Sequence, residues 1–509
     1  TEQGWVSQYP PGHIAVLAAG FAVNAIWLVC PLLMAVAAFF TCLTADRLFP
    51  DDKAIARTGA LLFAISPLLM TIAAAHMSHV TAAACMSVAA YCALRARDDH
   101  LAWAAAAGVA VGIAFSTRSL TALVIAPLLF TSVWIIGFND RELPVGFLLQ
   151  RVLVSFLGAL PFLLMTAAYN AHFFGSPFEF GYTSYLGPNH GLGYHPDPFG
   201  NAFGPLEGLA YTSSDLLALG YHLLRTPISA VLLIGVYLVL TKGMSIGARV
   251  VAVWALCLVV PHAAYWHHDL LLGPRMLSDA APAWCLFASV AGVGLVRLVP
   301  VDKTLFSGRF SPRVFVSGAL TFSLLLAAGY FIPHDIRNYA RTFAPAPAPP
   351  RPNTPTLVFV HGQWDGRTVA RLLAAGMRGE SITVALSLNS SCSMHEFADV
   401  YVEQRGSGRV SSAPSVSFTA GVTDGSTPTT LPSGVTIRAR PDEQLSESCL
   451  VQTKSDRVGG IPLLPLLWQG DLPGIPGTGA MYVRDLGPTA NQRLIDRFPR
   501  HRVGVLLRH

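Results

Sequence analysis

The sequence predicts an all-α polytopic membrane bundle, about ten transmembrane helices with added interfacial helices, followed by a small soluble α/β domain. Three observations predict it. Hydrophobic residues make up 52% of the chain and charged residues only 12%, a balance foreign to soluble domains of this length. Apolar runs long enough to cross a bilayer recur from residue 26 to residue 333. From residue 342 a proline-rich spacer, TFAPAPAPPRPNTPT, gives way to ordinary soluble sequence. The division is 1–333 for the membrane part, 334–356 for the linker and 357–509 for the soluble domain. The net charge of +5 is spread over many loops and makes no case for nucleic-acid binding.

The first element is the turn SQYPPGH, Ser7–His13. Two consecutive prolines cannot sit inside a helix, whereas Pro11 suits a first helical turn, where its missing N–H costs nothing. An extended segment therefore reaches the membrane surface and becomes an interfacial helix over residues 14–25, too short to span. The spanning segments then read as 26–46, 58–76, 79–96, 101–117, 119–137, 147–171, 227–241, 249–266, 276–296 and 314–333, with a second interfacial helix over 209–225.

Orientation follows from the basic residues. One set of loops holds Arg47, Lys53, Arg57, Arg95, Arg97, Arg141, Arg151, Lys242, Arg249, Arg297, Lys303, Arg309 and Arg313; the other holds only Arg118, Arg225 and Arg275. The first set is expected in the cytoplasm, and the YPPG turn and the C-terminal domain outside it. Histidine runs the other way: up to residue 300 only His100 lies on the basic side, while His13, His76, His79, His172, His190, His195, His222, His262, His267 and His268 gather at the outer face. Imidazoles there can hydrogen-bond, bind phosphate or bind metal. The outer loop 175–205, rich in Gly, Pro and aromatics, is expected to fold over the site as a lid or wall.

In the C-terminal part, LVFV at 357–360, Val416–Phe418, Val435–Ala439, Ala480–Arg484 and Val503–Leu507 read as strands, and Thr368–Met377 and Ala490–Phe498 as helices. Cysteines 30, 42, 85, 92, 257 and 285 fall in apolar segments as small hydrophobes. Cys392 and Cys449 stand alone in the polar region and can pair if it lies outside the cytoplasm.

YPPGH before an apolar helix, then SPLLMTIAAAHMSHVTA (66–82), STRSLTAL (116–123), YNAHFFGSPFEFGY (169–182) and GPRMLSDAAP (273–282), follow one another in a fixed order. Over residues 5–300 this order resembles the GT-C membrane glycosyltransferases that use polyprenyl-phosphate sugars, among them protein O-mannosyltransferases and the aminoarabinose transferase of lipid A. The resemblance implies a bacterial cytoplasmic-membrane enzyme moving a hexosyl or pentosyl group from a polyprenyl-phosphate-linked sugar to a hydroxyl of a glycan, lipid or protein acceptor at the outer face. Such chemistry needs cations for the phosphate leaving group, and Arg118 and Arg275 sit at outer helix ends. It needs a general base, which the resemblance places in an acidic first outer loop. Glu2 is the sole acid before the turn, so the base and the first helix are expected upstream of Thr1, and this chain alone is expected to be inactive. Where some relatives carry an acid, this sequence has His79, a candidate catalytic residue that could orient the acceptor, contact phosphate or hold a metal.

Tyr9, His13, Glu179, Tyr182, His267, His268 and Asp269 complete the candidate substrate-binding set with Arg118 and Arg275. The run Trp266-His267-His268-Asp269 could also hold a divalent metal, provided the backbone is irregular, because neighbours on a regular helix diverge by about 100°. Two other readings compete: a transporter or flippase for a lipid-linked substrate, and a non-catalytic envelope scaffold. A transporter places polar groups at midbilayer among repeats; here they collect at one face and no repeat is visible.

Overall fold

A computed structural model describes residues 6–98, 100–136, 144–197, 202–268, 273–299 and 312–342, then 354–360, 389–406, 427–430, 436–439, 480–485 and 488–506, with short pieces between 368 and 386 and residue 447. The chain divides into two compact units: Thr1–Ser184 with His190–His195 and Ala202–Thr342, and Phe343–His509 with Tyr185–Asn189 and Pro196–Asn201.

The first unit is helical throughout. Pro10 is extended (φ −57°, ψ 150°) and Pro11 opens α1 (Pro11–Ala22), as the two prolines require. The turn is fastened from below: Gly12 N–H donates to the Ser116 carbonyl at 2.7 Å, and a Cβ on Gly12 would lie 2.4 Å from Ser116 Oγ. There follow α2 (Ile26–Leu48), α3 (Lys53–Ala64), α4 (Pro67–Ala74), α5 (His79–Asp98), α6 (Ala102–Phe115), α7 (Ser119–Thr131) and α8 (Val145–Phe174). The short α9 (Gly181–Leu186) precedes α10 (Pro205–His222), α11 (Ala230–Leu240), α12 (Ile246–Leu256), α13 (Val259–Ala263), α14 (Ala281–Leu298), α15 (Pro312–Leu326) and α16 (Ile332–Thr342).

Each expected apolar stretch contains helix, but the expectation of about ten spans is not met by length and composition. Among the described residues, five helices qualify: Ile26–Leu48, Val145–Phe174, Ile246–Ala263, Arg275–Leu298 and Pro312–Asn338. A sixth arises if α3 and α4, bent by 41° at Ser66–Pro67, count as one span. The remainder have physical reasons to fall short. Helix α5 packs against α2, α6 and α7 and is largely buried, so protein rather than lipid surrounds it and alanine, serine, threonine and cysteine suffice. Helices α6, α7 and α11 are only 14, 13 and 11 residues long.

Small residues set the closest helix pair, as is usual where no water drives association. A Cβ on Gly108 of α6 would lie 1.8 Å from the Ser155 carbonyl oxygen of α8, and one on Gly158 of α8 would lie 2.4 Å from the Ala105 oxygen. The two ends of the bundle differ in kind. At one, Lys53 reaches Asp46 at 3.0 Å and Arg47 reaches Asp98 at 3.5 Å, while Arg297 grips both carboxylate oxygens of Asp52. The other end gathers His13, His79, His262 and Asp279, all buried.

In the second unit, β1 (Thr356–Val360) lies at the centre of a three-stranded sheet. The hairpin-like pair β2 (Thr427–Thr430) and β3 (Thr436–Ala439) is antiparallel and separate. Strands β4 (Ala480–Arg484) and β5 (Arg502–Leu506) flank β1, both parallel to it. The helix Pro488–Arg497 carries the chain from β4 across β1 to β5, and its Leu494 and Ile495 pack on Leu357, Phe359 and Met481. The helix Ser391–Gly406 contributes Met394, Ala398 and Tyr401 to another apolar cluster with Leu372 and Ile382. The expected strand at 416–418 lies outside the described residues. Cys392 is buried and disulfide-bonded; Cys449 lies outside the described residues. Maleimide should therefore leave Cys392 unlabelled in non-reduced, denatured protein and modify it after reduction, as peptide mass spectrometry would read directly.

Candidate active site

The histidine-rich end is organised by a carboxylate. The 3-10 turn Arg275–Ala280 leads into α14 and places Asp279 fully inside the protein. Its Oδ1 accepts from His79 Nδ1 at 2.8 Å. Its Oδ2 accepts from Arg118 Nε at 2.6 Å and from the Thr121 hydroxyl. His79 opens α5, Arg118 directly precedes α7 and Thr121 lies in the first turn of α7, so one acid ties its own 3-10 turn to both α5 and α7. Buried charges persist only when paired and hydrogen-bonded, and Asp279 meets that condition with three donors.

The pairing also fixes what is left over. A carboxylate only accepts, so Nδ1 of His79 carries a proton, and Nε2, which has no partner among the described residues, presents a lone pair when the ring is neutral. Arg118 spends Nε on Asp279; its Nη2 touches only the Met276 sulfur, at 3.5 Å. The terminal amino groups of the guanidinium thus remain available to an anion, in the fork geometry that suits phosphate. Arg275 approaches the Met77 sulfur at 3.7 Å, two residues before His79.

Aromatic rings border this pair of cations. Tyr9 meets Tyr182 edge-on at 5.4 Å, and Tyr182 stacks on His190 at 5.6 Å. His190 Nε2 and the Tyr265 hydroxyl are 2.9 Å apart, and the His190 ring also lies 5.5 Å from Trp266 and 6.2 Å from His267. Burial raises the Tyr182 phenol and pushes Tyr265 up to about 12, against the opposing pull of Arg118 and Arg275. Burial, with His267 beside it, holds His190 down at about 4. Two neutral phenols and a neutral imidazole therefore stand near the arginines, and none contributes an anion to compete with a phosphate.

The structure brings Tyr9, His79, Arg118, Tyr182, His267 and Arg275 to this end, linked through the contacts above. Other expected positions turn out differently. His13 is buried, with Nε2 donating to the His76 carbonyl at 2.7 Å and Nδ1 2.8 Å from Thr81 Oγ1. Both ring nitrogens are engaged, so His13 fastens the YPPG turn to α5 rather than offering an imidazole to a ligand. Glu179 is half-buried, and its carboxylate makes no hydrogen bond or ion pair among the described residues. The backbone at Tyr265–His268 is irregular, as a metal site there would need, but His268 turns to Asp215 at 2.6 Å. Asp269 lies outside the described residues, and no group of three or more metal-ligating side chains occurs among those described.

Sequence reasoning passed over Asp279, Thr121, Asp215, His190 and Tyr265 as site residues. A signal for Asp279 existed. It is the lone acid in the apolar run that becomes α14, and an ionisable group within a spanning segment is a functional candidate by default.

Residues 9–165 match the family model described as dolichyl-phosphate-mannose-protein mannosyltransferase. A search of curated proteins returned no match. Two solved structures of ArnT from Cupriavidus metallidurans are similar to the chain at 15% identity. The one bound to undecaprenyl phosphate has a TM-score of 0.40 over 79% of this chain and 68% of that one. The apo state has a TM-score of 0.39 over 79% and 67%. The chain is thus similar, in its N-terminal 9–165 stretch, to a family of lipid-phosphate-mannose-dependent transferases.

Proposed function

We propose that the protein is a membrane glycosyltransferase that moves a sugar from a polyprenyl-phosphate donor to an acceptor hydroxyl at the outer face of the cytoplasmic membrane. The observation that carries this reading is the Asp279 network. It holds Arg118 by one nitrogen and leaves the rest of the guanidinium for an anion, beside Arg275 and a wall of neutral aromatics. When the glycosyl–oxygen bond breaks, its electron pair moves to the departing phosphate, and fixed cations at that point lower the barrier in a site of low dielectric. His79, oriented by Asp279, offers the Nε2 lone pair to the acceptor hydroxyl. The similarity of residues 9–165 to a mannosyltransferase family supports the reading; the sugar and the acceptor are not specified by it.

The test uses the complete protein in lipid nanodiscs with a panel of polyprenyl-phosphate sugars and a membrane extract as acceptor, release of polyprenyl phosphate being followed by mass spectrometry. Arg118→Ala should lower turnover about 10²–10³-fold, the loss typical of one removed transition-state donor, and Arg118→Lys should restore only part because a point charge replaces a fork. Wild-type turnover in Arg118→Ala, or no donor consumed by the wild type, would overturn the proposal. A reporter fused after His509 should read as extracytoplasmic; a cytoplasmic signal would invert the topology.

A further inference from the structure

Apart from the Asp279 network lies a second polar cluster with no part in the scheme above. Asp215, on α10, accepts from His268 Nδ1 at 2.6 Å. Their side chains are only 5% and 8% exposed. The carboxylate fixes the tautomer, so Nε2 of the neutral ring is an acceptor. That Nε2 is buried and has no hydrogen-bond partner among the described residues. One turn earlier, on the same face of α10, the Thr212 hydroxyl is also buried and also without a partner. Leaving a buried polar group unsatisfied is costly, and the oriented imidazole and the hydroxyl, flanking Asp215, each lack a partner among the described residues.

Charge and shape define what fits. The acceptor-only Asp215 carboxylate disfavours an anion such as phosphate close by. A hydroxyl suits either atom, since it can donate to His268 Nε2 or accept from Thr212 Oγ1. Aromatic rings neighbour the cluster: Tyr211 lies 5.1 Å from His268, buried Phe203 stacks on Tyr211 at 6.0 Å, and half-exposed Tyr194 lies 5.9 Å from Phe203. Such faces pack the C–H surface of a pyranose ring. The cluster adjoins the aromatic wall, since His268 follows His267 in the chain and the His267 ring lies 6.2 Å from His190.

We propose that His268, oriented by Asp215, and Thr212 form a subsite for a hydroxyl of a neutral sugar ring. The assignment rests on the transferase reading, and it adds a specificity site separate from the phosphate-binding arginines. Saturation-transfer NMR on the full protein in nanodiscs, with methyl α-mannopyranoside, methyl β-glucopyranoside and methyl β-arabinopyranoside as probes, tests it. At least one glycoside should receive saturation from the wild type. Its binding should weaken about three- to tenfold in Thr212→Val and in His268→Gln, the loss expected for one hydrogen bond, and recover in Thr212→Ser. Thr212→Val removes a hydroxyl that has no protein partner, so its melting temperature should hold and the variant stays interpretable if His268→Gln folds poorly. Undecaprenyl phosphate binding, measured in parallel, should be unchanged in Thr212→Val and lost in Arg118→Ala. No saturation of any glycoside by the wild type, or equal saturation of wild type and Thr212→Val, would overturn the subsite, the second result leaving the two atoms as the site of a buried water. Loss of undecaprenyl phosphate binding by the wild type would instead strike the transferase reading.

Discussion

Asp279→Ala is expected to abolish transfer and to destabilise the helical unit by about 3–5 kcal/mol, the usual loss when one partner of a buried ion pair is removed. The cause is what stays behind. Arg118 and Thr121 would lose their acceptor, and His79 the group that fixes its tautomer, in a place where Asp279 is fully enclosed. Asp279→Asn keeps the shape and part of the hydrogen bonding but not the charge, so it should melt closer to wild type while remaining about 10²-fold slower. Pairing Arg118→Met with Asp279→Leu should recover much of the stability without activity, because well-packed apolar groups often replace a buried ion pair at no cost. Thermal melts in detergent and donor turnover, read on the same preparations, separate these outcomes. Wild-type melting and turnover in Asp279→Ala would show that the network is peripheral.

Gly108→Leu is expected to have the largest purely structural effect. A Cβ there meets the Ser155 carbonyl at 1.8 Å, and the obstacle is backbone, which cannot rotate away as a side chain end can. Overpacking in a close-packed interior costs about 1–3 kcal/mol and sometimes more. With the reciprocal contact at Gly158, 2.4 Å from the Ala105 oxygen, α6 and α8 would have to separate along their length. The variant should aggregate or elute broadly on size exclusion in mild detergent. Gly235→Leu is the control, since nothing lies within 4 Å of a Cβ at that position, and it should elute as wild type. Equal profiles for the two would dismiss the close approach of α6 and α8.

The parts that the sequence announces are local or statistical. The extended Pro10 and the helix start at Pro11 follow from the chemistry of proline. The apolar helices follow from hydropathy, and Arg118 and Arg275 stood out because cations are scarce in their set of loops. The strands β1 and β4 were readable from β-branched and apolar runs. What was not readable depends on partners distant in the chain. Asp279 and His79 are 200 positions apart and His268 and Asp215 are 53 apart, so no spacing rule connects them. His13 looked like a ligand for the same reason: only the fold reveals that Thr81 and the His76 carbonyl already claim it. Hydropathy counts more spans than the five helices, or six with the bent pair, that are long and apolar enough among the described residues, because it cannot distinguish a helix facing lipid from one, like α5, wrapped by its neighbours.

The break at Ser66–Pro67 has a mechanical consequence. The Ser66 hydroxyl donates to the Leu223 carbonyl at 2.7 Å, so the joint between α3 and α4 is pinned to the end of α10 at the point where the axis changes by 41°. A straight rod transmits tilt from one leaflet to the other; a jointed one anchored at its elbow does not. When the bilayer thins or thickens, α3 can lean to match it while α4 holds its angle. The elbow therefore has a fixed anchor, and α3 and α4 keep different tilts on either side of it.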